Sequence, residues 1–336
     1  MRADELHNQD TEKKLMYPNE PSRFTGHDLD ALLLFCVKNE ASDITLQTND
    51  KVLAEIHGRL YRVSQHALSN SEVGELLNTI YGANGTAQIM SGTDLDTHYE
   101  IKPSRSERFR FRVNGTGCHV EGTEGIQITL RSIPVDPPYL KDQGLPQRLI
   151  DGLLPDQGIV IVSGATGSGK STLLSTIMRE ILETQTGKVL TYEAPIEFVY
   201  DNVPSPHTAI AQHEIPANLP DFPSAVRNAL RRKPTVILVG EARDKETISA
   251  VIDAALTGHV VYTTVHANGV ADTMRRMIAA FPAEERYGRG IDLIELTRAI
   301  VWQRLVPTTD GKRMPLREWL ILDREIREEL LLSDFE

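Results

Sequence analysis

Cysteine is almost missing from this chain: Cys36 and Cys118 are the only two in 336 residues, and they are not spaced C-x-x-C. That excludes a disulfide framework and a four-thiolate zinc site, and it fits a reducing cytoplasm. No apolar run approaches the roughly 20 residues of a membrane-spanning helix, and the opening MRADELHNQDTEKKLMYPNEP holds no apolar core for a signal peptide. Contact with a membrane is therefore expected through partners, with no integral membrane segment. A basic excess is missing too, since 36 Lys and Arg face 47 Asp and Glu for a net charge of −11. This argues against coating of DNA and against a polybasic anchor, so direct nucleic-acid binding is not expected. Low-complexity tracts are also absent. What remains is an ordinary folded composition, 40% hydrophobic and 25% charged, in a chain long enough for two domains.

The residue pattern divides the chain. Residues 1–21 form a polar stretch expected to be a mobile leader. In RFTGHDLDALLLFC, Thr25 is the expected N-cap, with Asp28 three residues on and Leu29, Leu32, Leu33 and Cys36 on one helical face. Ser69 and Glu72 in SNSEVGELLNTIYG have the spacing of a capping box, ahead of Val73, Leu76, Leu77 and Ile80. The strand-like runs SDITLQTND, KVLAEIHGRLYRVS, THYEIKP, ERFRFRVNGT and IQITLRSIP follow one another without alternating helices. Residues 22–133 are therefore expected to be an α+β domain with an antiparallel sheet. PVDPPYLKDQGLP, residues 134–146, holds four prolines and reads as a linker. Residues 147–336 change to short continuous apolar runs separated by helical segments, the mark of a buried parallel sheet and an α/β fold.

The stretch RFRFRVN, 108–114, places Arg108, Arg110 and Arg112 on one face of a strand and Phe109, Phe111 and Val113 on the other. A single-stranded nucleic-acid platform needs its aromatics beside the basic groups, and alternation separates them here. The run also lacks the glycines of the common RNA-binding strand. A row of guanidinium groups awaiting a phosphate is the better reading.

The chemistry concentrates in the second half. GATGSGKST, from Gly164 through Ala165, Thr166, Gly167, Ser168, Gly169, Lys170 and Ser171 to Thr172, matches G-x-x-x-x-G-K-[ST] between an apolar strand and a good helix. Its glycines let backbone N–H groups wrap a phosphate chain at a helix N-terminus. Lys170 can reach the β- and γ-phosphates, and Ser171 can offer a hydroxyl to Mg²⁺. Glu241 follows the apolar VILVG, where a carboxylate can hold the metal's water shell or polarise the attacking water. An acid at a strand end is as readily a helix cap, and it is the phosphate loop that favours catalysis. Glu193 and Glu197 follow KVLTY; because Pro195 stops the strand, Glu193 is the expected second acid and Glu197 is left in the turn. His266 closes VVYTTVH and can donate to a phosphate oxygen, or it is an exposed loop histidine. In open α/β sheets ligands sit outside the carboxyl ends of the strands, so these endings are expected to converge. Arg227 and Arg231 lie four apart on one helical face and suit phosphate oxygens, while Arg232 fits a solvated face.

Together these residues resemble the PilT-like secretion ATPases of type IV pili and type IV secretion, from about Ser42 to Pro307. ASDITLQ, FRFRVN, LRSIP, GATGSGKST, YEAPIEFVY, VRNALRRKPTVILVGEARDKETI, ALTGHVVYTTVHAN and QRLVP follow the family's motifs in order. EPSRFT, GRLYRVS, SGTDLDTHYE and GCHVEG are similar to the branch containing DotB and TraJ, which serves Dot/Icm-type (type IVB) secretion and conjugation. The resemblance implies a homohexameric ring of RecA-like P-loop domains with PAS-like N-terminal domains, binding Mg²⁺ and ATP and recruited peripherally to inner-membrane secretion-complex components. It implies that Glu193 lies in the acidic box, Glu241 in Walker B, with Ser171 at the metal, and His266 in the histidine box. Arg110, Arg112 and Arg131 match N-terminal arginines that approach the phosphates, and Arg227 and Arg231 match core-domain arginines. Three departures stand out. Lys233, Pro234 and Thr235 replace the frequent Asp-Pro-Asp, Ala194 follows Glu193 where aspartate is common, and the cysteine quartet of the pilus-assembly branch is missing. The carboxyl-terminal DREIREELLLSDFE only loosely echoes the retraction branch. The expected function is an ATP-driven motor of secretion or conjugation, with DNA translocation through the ring and pilus retraction as alternatives.

Overall fold

The computed structural model describes residues 15–104, 107–133, 136–309 and 313–332. The chain forms two units, Met1–Val135 and Asp136–Glu336. Among the described residues, no helix is long and apolar enough to cross a membrane.

The first unit begins with α1 (Leu29–Lys38), β1 (Ala41–Gln47), β2 (Leu53–Ile56), β3 (Arg59–Arg62), α2 (Asn70–Tyr81) and α3 (Gly85–Met90). It continues with β4 (Leu95–Ile101), β5 (Phe109–Val120) and β6 (Thr123–Ile133). All six strands form one antiparallel sheet in the order β3-β2-β1-β6-β5-β4. Period-two alternation sends Ile44, Leu46, Phe111, Val113, Ile126, Ile128 and Leu130 into a core shared with Leu29, Leu32, Leu33 and Cys36 of α1 and Val73, Leu76 and Leu77 of α2. Each fully buried aliphatic or aromatic side chain contributes about 1.5–3 kcal/mol.

Two local expectations change. Thr25 does not cap α1; its amide and hydroxyl both donate to Asp28 Oδ2, and Asp28 is the residue preceding the helix. The short carboxylate folds back onto the turn and so delays the helix by one turn. The expected leader is not loose where it is described, for Tyr17 is buried, its amide donates to the Val63 carbonyl (2.8 Å), and its ring stacks with Phe24. Residues 1–14 of that leader lie outside the described residues.

The capping box at Ser69 and Glu72 forms, and Glu72 does more than cap. Its carboxylate accepts from the Ser69 amide (2.8 Å) and hydroxyl (2.7 Å), from the Phe24 amide (2.8 Å) and from His66 Nε2 (3.1 Å). His66 Nδ1 meets Glu20 on the other side, so one imidazole joins two buried carboxylates from separate segments. Burial alone would raise the Glu72 pKa, but the bonds from Ser69, Phe24 and His66 outweigh it and hold the carboxyl at about 2. Burial opposes protonation of His66, and the Glu72 bond with the charges of Glu20 and Glu72 reverses this, so its pKa is raised.

The second unit starts inside the expected linker. A short 3₁₀ turn, Leu140–Gln143, buries Leu140 against the core, so the proline-rich strap from residue 136 is docked. Then come α4 (Gln147–Leu153), β7 (Gly158–Ser163), α5 (Lys170–Thr184), β8 (Gly187–Glu193), β9 (Thr208–Glu214), α6 (Phe222–Ala229) and β10 (Val236–Val239). The chain ends with α7 (Lys245–Leu256), β11 (Val260–Val265), α8 (Val270–Ala279), α9 (Ala283–Leu296), β12 (Thr297–Pro307), β13 (Arg313–Ile321) and α10 (Arg324–Leu332). The seven strands run β13-β12-β7-β11-β10-β8-β9, all parallel except the β12–β13 pair. Along β7, Ile159 and Ile161 enter the core on one face while Val160 and Val162 enter the core on the other. A strand buried on both faces has no polar side to mark in its sequence, which explains the continuous apolar runs.

Glu72→Gln is expected to lower stability by about 1–3 kcal/mol at pH 7, the cost of weakening a charged hydrogen-bond hub. Because the folded pKa is depressed, the carboxylate's contribution is complete above about pH 4.3 and is lost as the pH falls towards 2. Urea unfolding at pH 7 and pH 2.5 checks this: the difference between variant and parent shrinks at the lower pH.

Candidate functional site

Four neighbouring parallel strands set the site. In the register, Ser163 of β7 lies beside Val265 of β11, and Val239 of β10 lies beside Thr263 and Tyr192. The residues just past these strands, Gly164, His266, Glu241 and the β8 terminus Glu193, therefore leave the sheet at similar heights. Of these, His266, Glu241 and Glu193 border a single cavity of about 420 Å³, lined also by Thr166, Gly167, Ser168, Gly169, Lys170, Ser171 and Thr172 of the loop that Gly164 opens. Gly164 and Ala165 form the first turn of the loop. Their carbonyls each accept a hydrogen bond from Lys170 Nζ at 3.0 Å.

The cavity carries opposed charges. Burial lowers the Lys170 pKa, and the carboxylates of Glu241 and Glu197 pull it part of the way back. Glu241 Oε1 lies 3.6 Å from His266 Nε2, and Glu241 Oε2 lies 4.0 Å from Arg243. Glu193 accepts from the Thr191 hydroxyl at 2.7 Å. Desolvation nevertheless dominates and pushes its pKa up to about 7, with Glu197 adding to the rise. Glu193 is thus a carboxyl that titrates near neutral pH, a property suited to proton transfer.

Several expected site residues fall elsewhere. Glu197, assigned to the turn, faces the same cavity as Glu193. The chain continuing past Glu193 folds back, placing Phe198 and Tyr200 in the wall as well. Arg227 and Arg231 do not line the cavity: Arg227 donates to the Ser224 hydroxyl on its own helix, and both are exposed. Arg232, read as solvated, instead bonds His213 Nε2 at 2.9 Å, and His213 stacks on Tyr192 at 4.9 Å.

The arginine row of the first unit is not an open set of cations. Arg112 pairs with Asp96 (2.9 Å), Arg131 pairs with Asp43 (2.8 Å), and Arg108 and Arg110 lie 3.6 and 3.7 Å from Glu100. Arg110, expected to be presented on the surface, is buried. The acids stand on the neighbouring strands β4 and β1, so alternation along β5 or β6 alone cannot reveal the pairing. Leu305, Phe222 and Thr264 complete the cavity wall without having been singled out. The only advance signal for Leu305 is its position inside QRLVP.

Comparison with known proteins agrees with this geometry. The family model "Type II/IV secretion system protein" matches residues 22–318. The structure is similar to that of the Legionella pneumophila ATPase DotB, with TM-score 0.84 and 54% identity over 95% of this chain and 87% of the other. It is also similar to the Yersinia pseudotuberculosis ATPase DotB, with TM-score 0.81 and 38% identity over 94% and 84% of the two chains. Among curated proteins, the type IV pilus retraction ATPase PilT of Pseudomonas aeruginosa is 32% identical over 300 residues, 89% of this chain and 84% of that protein.

Glu193→Gln is expected to raise the melting temperature at pH 8 and to leave it nearly unchanged at pH 5. The raised pKa means that the folded state holds this proton between about pH 4.3 and 7; ionising the carboxyl lowers stability as the pH rises through about 7. Thermal unfolding at the two pH values checks the sign.

Proposed function

The chain belongs to the type II/IV secretion system protein family and is an ATPase, and from that premise we propose that it is a cytoplasmic hexameric Mg²⁺-ATP motor of a type IVB secretion or conjugation apparatus. One observation carries the reading: a phosphate loop, two strand-end carboxylates and a histidine, contributed by four adjacent parallel strands, border one cavity. The higher identity to the DotB ATPase, 54% against 32% to PilT, supports the secretion branch over pilus retraction. The six-stranded antiparallel sheet and the parallel sheet support PAS-like and RecA-like assignments for the two units.

The donor set fits magnesium. Glu193, Glu197 and Glu241 face a cavity that must take a polyanion, and Lys170 is the cation in its lining. A divalent ion resolves that conflict. Among the described residues no three of His, Cys, Asp and Glu gather closely enough to hold a metal unaided. Ser171, and Glu241 through the ion's water shell, would hold a small Mg²⁺ ion that arrives with the nucleotide, and it would supply neutralisation of phosphate charge.

The residues then divide the work. The loop amides and the N-terminus of α5 hold the phosphate chain, and Lys170 exchanges its two carbonyl bonds for phosphate oxygens. Glu241 orients the attacking water and accepts its proton as the oxygen bonds to the γ-phosphorus and the bond to ADP breaks. His266, beside Glu241, donates to the γ-phosphate, and Glu193 supplies a second acid near neutrality. Arg227 and Arg231 lie outside the cavity, so we assign them to phosphate supplied by a neighbouring subunit. Phosphate at Arg112, Arg131 or Arg110 would compete with Asp96, Asp43 or Glu100, the carboxylates now beside them.

Lys170→Ala is expected to abolish ATP turnover and weaken nucleotide binding. Glu241→Gln is expected to bind ATP normally while turnover falls by about 10² or more. Calorimetry and steady-state phosphate release check both; normal hydrolysis by Glu241→Gln removes its assignment as the proton acceptor. Sedimentation with ATP tests the ring, and a monomer at every concentration overturns it.

A further inference from the structure

The phosphate loop rests on a residue that none of its own chemistry requires. Gln303, on β12, is buried, and its Nε2 donates to the Ser168 carbonyl at 2.6 Å. The loop backbone lies directly against it. At Gly164, where φ is +145°, an added side-chain carbon would collide with the Gln303 carbonyl oxygen; at Gly169 it would lie 2.8 Å from Gln303 Nε2. These two glycines are needed for close approach as well as for their positive φ angles.

Gln303 is itself held. Directly across the β12–β13 pair stands Arg317, whose Nε donates to Gln303 Oε1 at 2.6 Å. The other two guanidinium nitrogens donate to the Gln143 carbonyl oxygen (2.9 Å) and to Gln143 Oε1 (3.2 Å). Among the described residues no carboxylate lies within ion-pair range of Arg317, and burial lowers its pKa. A partly buried guanidinium without a counter-charge is costly, and here its hydrogen bonds go to amide groups at two places. One is the support of the phosphate loop. The other is the strap that carries the chain out of the first unit.

A second tie runs in parallel. Arg179, in the helix that begins at Lys170, donates from Nη1 to the Pro137 carbonyl at 2.6 Å and lies over the Tyr139 ring at 3.5 Å. The strap is therefore gripped near both ends by groups that lead to the phosphate loop and its helix.

We propose that Arg317 is a positioning residue for the phosphate loop, acting through Gln303, and that the same guanidinium makes the strap at Gln143 respond to nucleotide. The inference rests on nucleotide occupying the cavity described above. Its chemistry is a fixed fork: the planar guanidinium presents a separate nitrogen to Gln303 Oε1 and to each of the two Gln143 oxygens. A lysine ammonium would have to serve all three oxygens from one nitrogen, where the guanidinium meets each with its own.

Hydrogen exchange of the full chain, with and without Mg²⁺ and the nonhydrolysable AMP-PNP, tests it. In the parent, nucleotide is expected to slow exchange at residues 164–172 and at 139–145. In Arg317→Met the first effect persists and the second is lost, while the Kd for AMP-PNP rises about tenfold, the loss expected for a charge-assisted hydrogen bond. Arg317→Lys restores affinity in part but not the response of the strap. Gln303→Glu keeps an acceptor for Arg317 and removes the donor to Ser168, so it also weakens binding and silences the strap; it serves if Arg317→Met does not fold. Parent-like Kd and strap protection in either variant overturn the proposal, as does a parent strap that ignores nucleotide while 164–172 responds. No protection at 164–172 in the parent overturns the nucleotide reading itself, and this proposal with it.

Discussion

Everything at the site depends on the parallel hydrogen-bond register of β7, β11, β10 and β8. Ser163 beside Val265, and Val239 beside Thr263 and Tyr192, bring four chain segments out of the sheet together. Each of these strands is buried on both faces, so the register is held by side-chain packing above and below as well as by the ladder. A slip of one residue would exchange the two buried faces and move the acids off the cavity. The geometry of the candidate site is thus a consequence of hydrophobic packing, with the polar residues carried on its rim.

Charge is managed by pairing in both units. The cavity sets three carboxylates near one buried lysine, an arrangement suited to a polyanion that brings its own divalent cation. On the sheet of the first unit, Arg112 and Arg131 already hold carboxylates. A phosphate at these arginines must therefore compete with an existing partner. Because both arginines are exposed, each pair contributes at most about 1 kcal/mol, so the exchange is inexpensive.

The local parts of this architecture were legible. The G-x-x-x-x-G-K-[ST] spacing located the phosphate loop because its backbone geometry demands particular residues at particular positions. The capping box at Ser69 and Glu72 was visible for the same reason, since both partners lie within one helical turn. Thr25 misled because its partner Asp28 was close enough to bond it in a turn, a competing local solution with the same residue types. Further errors arose where the deciding partner lay far along the chain. Asp43 is 88 residues from Arg131, Gln143 is 174 from Arg317, and the Tyr17 amide donates to the carbonyl of Val63 on a separate segment.

The amino-acid order alone marked the change from consecutive strands to buried apolar runs, the G-x-x-x-x-G-K-[ST] loop and the strand-end candidates Glu193, Glu241 and His266, because each follows from periodicity or short-range spacing; it did not mark β9, β12 or β13 as strands. Tertiary structure decided which of these groups meet. It added Glu197 to the cavity, left Arg227 and Arg231 outside it, paired Arg112 and Arg131 with carboxylates and linked Ser168 through Gln303 and Arg317 to the strap. The physical reason is that side-chain hydrogen bonds and ion pairs act over about 3–4 Å in space, and only the packed sheets bring residues so distant in the chain within that reach.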